Sequence, residues 1–392
     1  MITALASLLF SNVSDASDLI PEREAEGFDS VPVDTSKIRY RPGKGVEFKS
    51  TDGRHSLALG FRGMFLYEVE QQGEAPATHQ VLIRRARITA SGSMWGKNNK
   101  YKVELAVSPR DESVNGDGFL RQTPLLTWQN TFTQLRDVNL RIGQYKIPYS
   151  WERVVSSSKL AMVDRSLANA TFNLDRDIGF DIGSKDLGGL DLLQYNIGVY
   201  AGEGRGRFEP NDSGLMYLAR VGVTPMGKFN SWEPQDFARG EPRLGLGVAY
   251  AFVDNPSGSK DILNASRDNA YEYHNFTADL VFKASGFSTE AAFFWRDGGE
   301  TDRDIAQVGT GYYVQPALLI PHQPIGIALR WSQVLPADGG GLSEKTEVGP
   351  ALSYYFAGAR NHMKVQADFL RSWADDPSNG ENQARLQLQA MF

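Results

Sequence analysis

The stretch SLALGFRGMFLYEVE, residues 56–70, sets the reading of the whole chain. Leu57, Leu59, Phe61, Phe65, Tyr67 and Val69 share one parity, while Arg62, Glu68 and Glu70 share the other. Successive side chains of a strand point to opposite faces, so this segment is a strand with one apolar face and one charged face. The pattern recurs. In RLGLGVAYAF (243–252) Leu244, Leu246, Val248, Tyr250 and Phe252 oppose Gly245, Gly247, Ala249 and Ala251. In GFSTEAAFFWRD (286–297) Phe287, Ala291, Phe293 and Trp295 oppose Ser288, Glu290 and Arg296.

Working outward, the same alternation marks sixteen strands, near 56–70, 79–94, 100–108, 122–131, 137–146, 176–184, 191–200, 215–224, 243–253, 272–284, 286–296, 310–319, 324–333, 346–356, 362–373 and 382–392. The gaps after odd strands are mostly long (109–121, 147–175, 201–214, 254–271, 297–309, 334–345) and those after even strands mostly tight. A soluble β-sandwich has no reason to sort its connectors this way, whereas an outer-membrane barrel has short periplasmic turns and long external loops. One connector, 225–242, is long where the rule wants a turn, which points to a misplaced strand there. The fold class expected is therefore all-β: a transmembrane antiparallel β-barrel of about 16 strands.

Composition removes other classes. Across 392 residues there is no cysteine, which excludes disulfide frameworks, thiolate metal sites and cysteine nucleophiles. Residues 2–10 form an apolar run about half as long as the ~20 residues that a spanning helix needs. A net charge of -6 gives no nucleic-acid footprint. His55, His79, His274, His322 and His362 are scattered, and none stands with a serine and an acid in a recognisable order, so no enzyme and no metal or other cofactor is expected. Residues 1–16 read as a signal peptide, with Ser14 and Ala16 at the -3 and -1 positions. The positive n-region is missing, which leaves a start lying further upstream or a buried N-terminal segment as the other readings. Residues 17–54 read as an acidic periplasmic tail, and 55–392 as the barrel.

The end of the chain carries a separate signal. In ARLQLQAMF (384–392) apolar residues alternate with Arg385, Gln387 and Gln389, and the terminal Phe392 is aromatic. This looks like the closing strand that the barrel assembly machinery of the bacterial outer membrane recognises. Several segments then resemble one family, the phosphate-selective porins O and P. They are LIRRARITASG (82–92), LRIGQYKIPYSWERVVSSSKLAMVDRS (140–166), RDIGFDIG (176–183) and QYNIGVYAGEG (194–204), and they cover most of the chain in order. The second is the most specific, with Gly143, Pro148, Glu152, Ser156, Ser157, Ser158 and Arg165 in sequence. The resemblance implies a Gram-negative outer-membrane channel, commonly a homotrimer among lipid and lipopolysaccharide, with both termini in the periplasm and the third external loop folded into the lumen. Segment 147–175 is the third external loop by count.

Strand parity selects the bases of the lumen. Arg62, Arg85, Arg87, Arg141 and Arg220 have lumen parity, and the third loop adds Arg153, Lys159 and Arg165. Together they are the candidate pore-lining residues, and Phe392 is the candidate assembly signal. Arg84 has outward parity. Lumen bases lead lumen acids by only eleven to nine, and no cluster of bases free of acids is visible. A mixed lining argues for weak selectivity, because arginine and lysine rings favour anions and acidic rings cations. Each lumen base also has a plainer role as partner of an acid on a neighbouring strand. The function expected is passive diffusion of small hydrophilic solutes with a weak anion, phosphate-like preference. The alternative is a structural barrel sheathing a lumenal protein partner, such as an electron-transfer or secretion component.

Overall fold

The computed structural model describes residues 34, 38–108, 124–206, 214–229, 233–254, 272–298, 307–356, 360–374 and 376–392. The expected signal segment and most of the acidic tail lie outside the described residues. A short hairpin comes first, β1 (Arg39–Arg41) and β2 (Gly45–Lys49). Sixteen longer strands follow: β3 (Ser56–Gln72), β4 (Thr78–Ser93), β5 (Asn99–Ala106), β6 (Leu125–Phe132), β7 (Asn139–Lys146), β8 (Arg176–Ser184), β9 (Leu193–Tyr200) and β10 (Met216–Val223) make one half. The other half is β11 (Arg243–Val253), β12 (Tyr273–Ala284), β13 (Phe287–Gly298), β14 (Gly309–Leu319), β15 (Ile325–Pro336), β16 (Lys345–Tyr355), β17 (Met363–Trp373) and β18 (Glu381–Met391).

Each strand from β3 to β18 is antiparallel to the next, and β18 returns to pair with β3 from Glu381↔Gln72 to Met391↔Arg62, closing the barrel. Closure leaves no sheet edge to satisfy in an apolar medium. The burial pattern inverts that of a soluble protein. Leu352, Phe369, Leu386 and Leu388 stand outward and exposed, while Arg330, Lys364, Gln366 and Gln389 point inward and are buried. All sixteen expected strands are present within a few residues of their expected ends. The β1–β2 hairpin falls inside the segment read as tail; β2 pairs with the start of β3, beyond the point where β18 ends.

Two features depart from the sequence reading. Opposite β4, Met64 pairs with Arg85 but Phe65 pairs with Ile83, so Arg84 is the extra residue of a β-bulge. A bulge re-aims its side chains. Arg84 therefore turns inward beside Arg85, correcting its expected outward parity, and both are buried. The long connector 225–242 hides no strand among its described residues. It folds back along the short-turn rim: Gly286 donates its N–H to Asp236 Oδ2 at 2.8 Å, Arg239 donates to the Leu319 and Ile320 carbonyls, and Phe237 meets Tyr355 edge-on.

The interior is filled by the chain's own segment 147–175. It contains two short helices, α1 (Trp151–Val154) and α2 (Leu167–Phe172), capped by the hydroxyls of Ser150 and Ser166. Inward side chains of the wall hold its backbone: Arg220 donates to the Tyr149 carbonyl at 2.8 Å, Gln389 to Ser158 at 3.0 Å, and Lys364 to Leu160 at 2.7 Å. The N–H groups of Trp151, Val163 and Ala168 donate to Asp279, Asp368 and Ser332. Ala168, Phe172 and Leu174 pack with Tyr200, Met216, Ala249, Ala251, Phe294 and Tyr313 of β9–β14, so this side of the lumen is a closed apolar core. The small residues of β11 leave the room that the loop occupies.

Candidate functional site

With the β9–β14 wall packed, open space remains toward the short-turn rim and along β3–β8. Two chambers meet at Gln129, Arg141 and Val154, which line both. The first, about 620 Å³, lies between β3–β8 and the loop residues Ser156, Ser157, Ser158 and Lys159. Its bases are Arg41, Lys44, Arg62, Arg87, Lys102, Arg141, Lys146, Lys159 and Arg176, nine against the single acid Glu104. That carboxylate accepts from Lys102 at 3.0 Å, Arg87 at 3.1 Å and Arg62 at 3.5 Å, one negative charge among three positive ones. Arg62 also donates to Ser156 Oγ at 2.9 Å, joining the wall to the loop. The second chamber, about 750 Å³, is bounded by Pro148, Trp151 and Val154 of the loop and by β5–β12.

The candidate bases divide by what they touch. Arg62, Arg87 and Lys159 line the first chamber, Arg220 the second, and Arg141 both. Arg220 holds Asp279 through both guanidinium nitrogens at 2.8 and 2.7 Å, and Arg141 donates Nε to Asp181 at 3.1 Å. Arg85, Arg153 and Arg165 line neither chamber. Arg165 donates to the carbonyls of Glu152, Arg153 and Val155, which staples the loop to itself. Arg153 donates Nε to Asp175 at 2.9 Å where the loop re-enters the wall. Burial alone would raise the Asp175 carboxyl, but Arg153 and Arg176 hold it well below the usual carboxylate range. The bulged pair Arg84 and Arg85 both reach Asp164, and Arg330 donates to the Asp164 carbonyl, so the loop is clasped from two sides of the barrel. Glu152, fully buried, accepts from the Ser166 N–H at 2.9 Å and hydroxyl at 2.8 Å and ties the two helices together.

Sequence reasoning missed Arg84, Lys146, Lys100 and Lys185. Only the adjacent arginines of LIRRARI signalled the first, because a bulge shows itself only against its partner strand. Phe392 lies at the seam. Its N–H and C=O pair with the Phe61 backbone at 3.0 and 2.7 Å, and the two rings stack at 5.6 Å.

A closed barrel of sixteen strands, apolar outside and charged within, is the architecture of the outer-membrane porins. Residues 57–231 match the sequence model of the family described as phosphate-selective porin O and P, so the resemblance seen in the sequence holds across the first half of the barrel. No curated protein matches the chain. Among solved structures, OmpF of Salmonella typhi in complex with daunomycin shares the fold at 14% identity, with a TM-score of 0.58 over 86% of this chain and 98% of that one. The outer-membrane channel DcaP of Acinetobacter baumannii is 11% identical, with a TM-score of 0.56 over 88% and 99%. OmpT of Vibrio cholerae, in its trimer form, is 12% identical, with a TM-score of 0.52 over 86% and 99%. At such identities the likeness is one of fold.

Proposed function

We propose that this protein is a passive outer-membrane channel for small hydrophilic solutes with a preference for anions, phosphate-like oxyanions among them. The observation that carries the reading is the first chamber, lined by nine bases and one acid, where bases still exceed acids by five once Glu47, Asp181 and Asp175, held by Arg41, Arg141 and Arg176, are counted. In a narrow, partly dehydrated passage such charges are screened less than on an open surface and favour oxyanions through charge-assisted hydrogen bonds. The loop serines Ser156, Ser157 and Ser158 line the same chamber, and Arg62 donates to the Ser156 hydroxyl. Space argues against the sheath reading: the chain's own loop occupies the lumen, and chambers of about 620 and 750 Å³ suit small molecules rather than a lumenal polypeptide. The channel works without chemistry of its own. We place both termini at the periplasmic, short-turn rim and the protein in a homotrimer surrounded by lipid and lipopolysaccharide, in line with the trimer form of OmpT.

Reconstitution in planar bilayers tests this reading. Under a tenfold potassium chloride gradient the reversal potential takes the sign set by chloride, and phosphate reduces the chloride current. A reversal potential at zero or of cation sign refutes anion preference, and a folded protein without conductance refutes the channel.

A further inference from the structure

The second chamber makes demands that the first does not. One wall, from the loop and β12, is apolar: Pro148, Trp151, Val154 and Val281. The Trp151 indole N–H is buried without a hydrogen-bond partner. The facing wall carries Lys100 and Lys185, which pair with no carboxylate among the described residues. Both lysine side chains are exposed at this wall, and an anion in the chamber would give the two like charges a shared counter-charge. Between these walls Gln129, Gln194 and Asn196 make no side-chain hydrogen bond to protein among the described residues.

No simple solute meets all three features. An inorganic anion uses the lysines and leaves the apolar wall and amides idle. A neutral sugar uses the wall and amides but leaves two like charges facing each other. From this juxtaposition we infer that the second chamber is a binding subsite for a hydroxylated organic anion of about hexose size, a sugar phosphate or sugar acid, seated against Trp151 with its anionic group between Lys100 and Lys185. The amides take the hydroxyls, and the apolar edge of the ring covers Pro148 and Val154. A chamber of 750 Å³ lies in the range of small-ligand sites and holds such a molecule with its water. The inference deepens the channel reading above and rests on it, since solute reaches the chamber through the pore.

The test is block of chloride current through the full chain in planar bilayers by glucose 6-phosphate, with glucose and inorganic phosphate as comparators. The half-blocking concentration of glucose 6-phosphate is expected to lie about tenfold or more below that of either comparator, since it alone combines charge-assisted and neutral contacts. Lys100→Gln with Lys185→Gln should raise that concentration about tenfold and leave the glucose value unchanged. Gln194→Ala with Asn196→Ala should instead bring glucose 6-phosphate close to phosphate. Heat-modifiable migration and open-channel noise like those of the wild type show that barrel and loop keep their places in each variant. Equal block by glucose 6-phosphate and phosphate, or block insensitive to the lysine pair, overturns the subsite. An anion-selective channel without this block removes the subsite alone; lysine-dependent block in a channel without anion preference removes the selectivity reading alone.

Discussion

Replacing Arg62 and Arg87 by glutamate tests the electrostatics of the first chamber. Both line it, and both contact Glu104, at 3.5 and 3.1 Å. With Glu47, Asp181 and Asp175, which Arg41, Arg141 and Arg176 hold, the wild-type chamber has nine bases and four acids, a net of five positive charges; the double variant has seven bases and six acids, a net of one. An ion crossing a space of 620 Å³ passes within about 7 Å of each wall charge, and one unit at that distance in water is worth about 0.6 kcal/mol. Four units give about 2.4 kcal/mol, which screening at 0.1 M salt, with a Debye length of about 10 Å, roughly halves. Chloride loses and potassium gains that amount, so the chloride-to-potassium permeability ratio should fall about fiftyfold. Arg62→Gln with Arg87→Gln removes two units rather than four, so its shift should be about half as large on the free-energy scale, with less disturbance of Glu104. Reversal potentials under a potassium chloride gradient read the ratio, and heat-modifiable migration confirms that each barrel is closed. If both variants fold and conduct with the wild-type reversal potential, the first chamber is not on the solute path.

Three further outcomes follow from the loop and the seam. Asp164→Asn removes the acid that clasps the bulged Arg84 and Arg85; breaking a buried pair costs about 3–5 kcal/mol, reduced here to about 2 because Asp164 is a quarter exposed, and open-channel noise should rise as the loop loosens. Asp175 has a folded pKa below its unfolded one, so its contribution is complete above the unfolded value near ~4 and is lost only as the pH falls through the depressed folded value. Open-channel noise should thus stay low from about pH 7 to 5, while Asp175→Asn, which strands Arg153, should be noisy across that whole range. Deleting Phe392 removes a ring stack and two backbone hydrogen bonds at the seam and should lower the yield of heat-modifiable barrel, whereas deleting residues 17–37 should leave it unchanged.

The strands were legible because a barrel wall in lipid must alternate, and SLALGFRGMFLYEVE or ARLQLQAMF can satisfy that alternation in one register only. The bulge was not, since one extra residue in LIRRARI flips parity locally and only the pairing of Met64 with Arg85 and Phe65 with Ile83 reveals it. The basic chamber was hidden by arithmetic. Parity counts lumen bases and acids around the whole ring, but Asp279, Glu347 and Asp368 are matched by Arg220, Arg330 and Arg385 on the loop-covered side. On β3–β8 Arg141 and Arg176 are matched by Asp181 and Asp175, but Arg62, Arg87 and Lys102 share the one carboxylate of Glu104, and the excess of bases lies there. The apolar half of the lumen had a signal in Gly245, Gly247, Ala249 and Ala251: a lumen face of such small residues leaves space, which the loop fills beside Ala249 and Ala251, the Arg220–Asp279 pair over Gly247 and Phe229 over Gly245. The β1–β2 hairpin lacks alternation over so short a span and reads as tail.

Charged thiol reagents at one engineered position test most directly whether solutes cross the basic chamber. The chain has no cysteine, so Ser156→Cys, on the loop, lining that chamber and only half-buried, is the single reactive site. Added to the bath during bilayer recording, sulfonatoethyl methanethiosulfonate should modify it faster than the trimethylammonium analogue and lower the conductance stepwise. Equal or inverted rates of the two reagents, or complete modification without a change in current, would contradict the account.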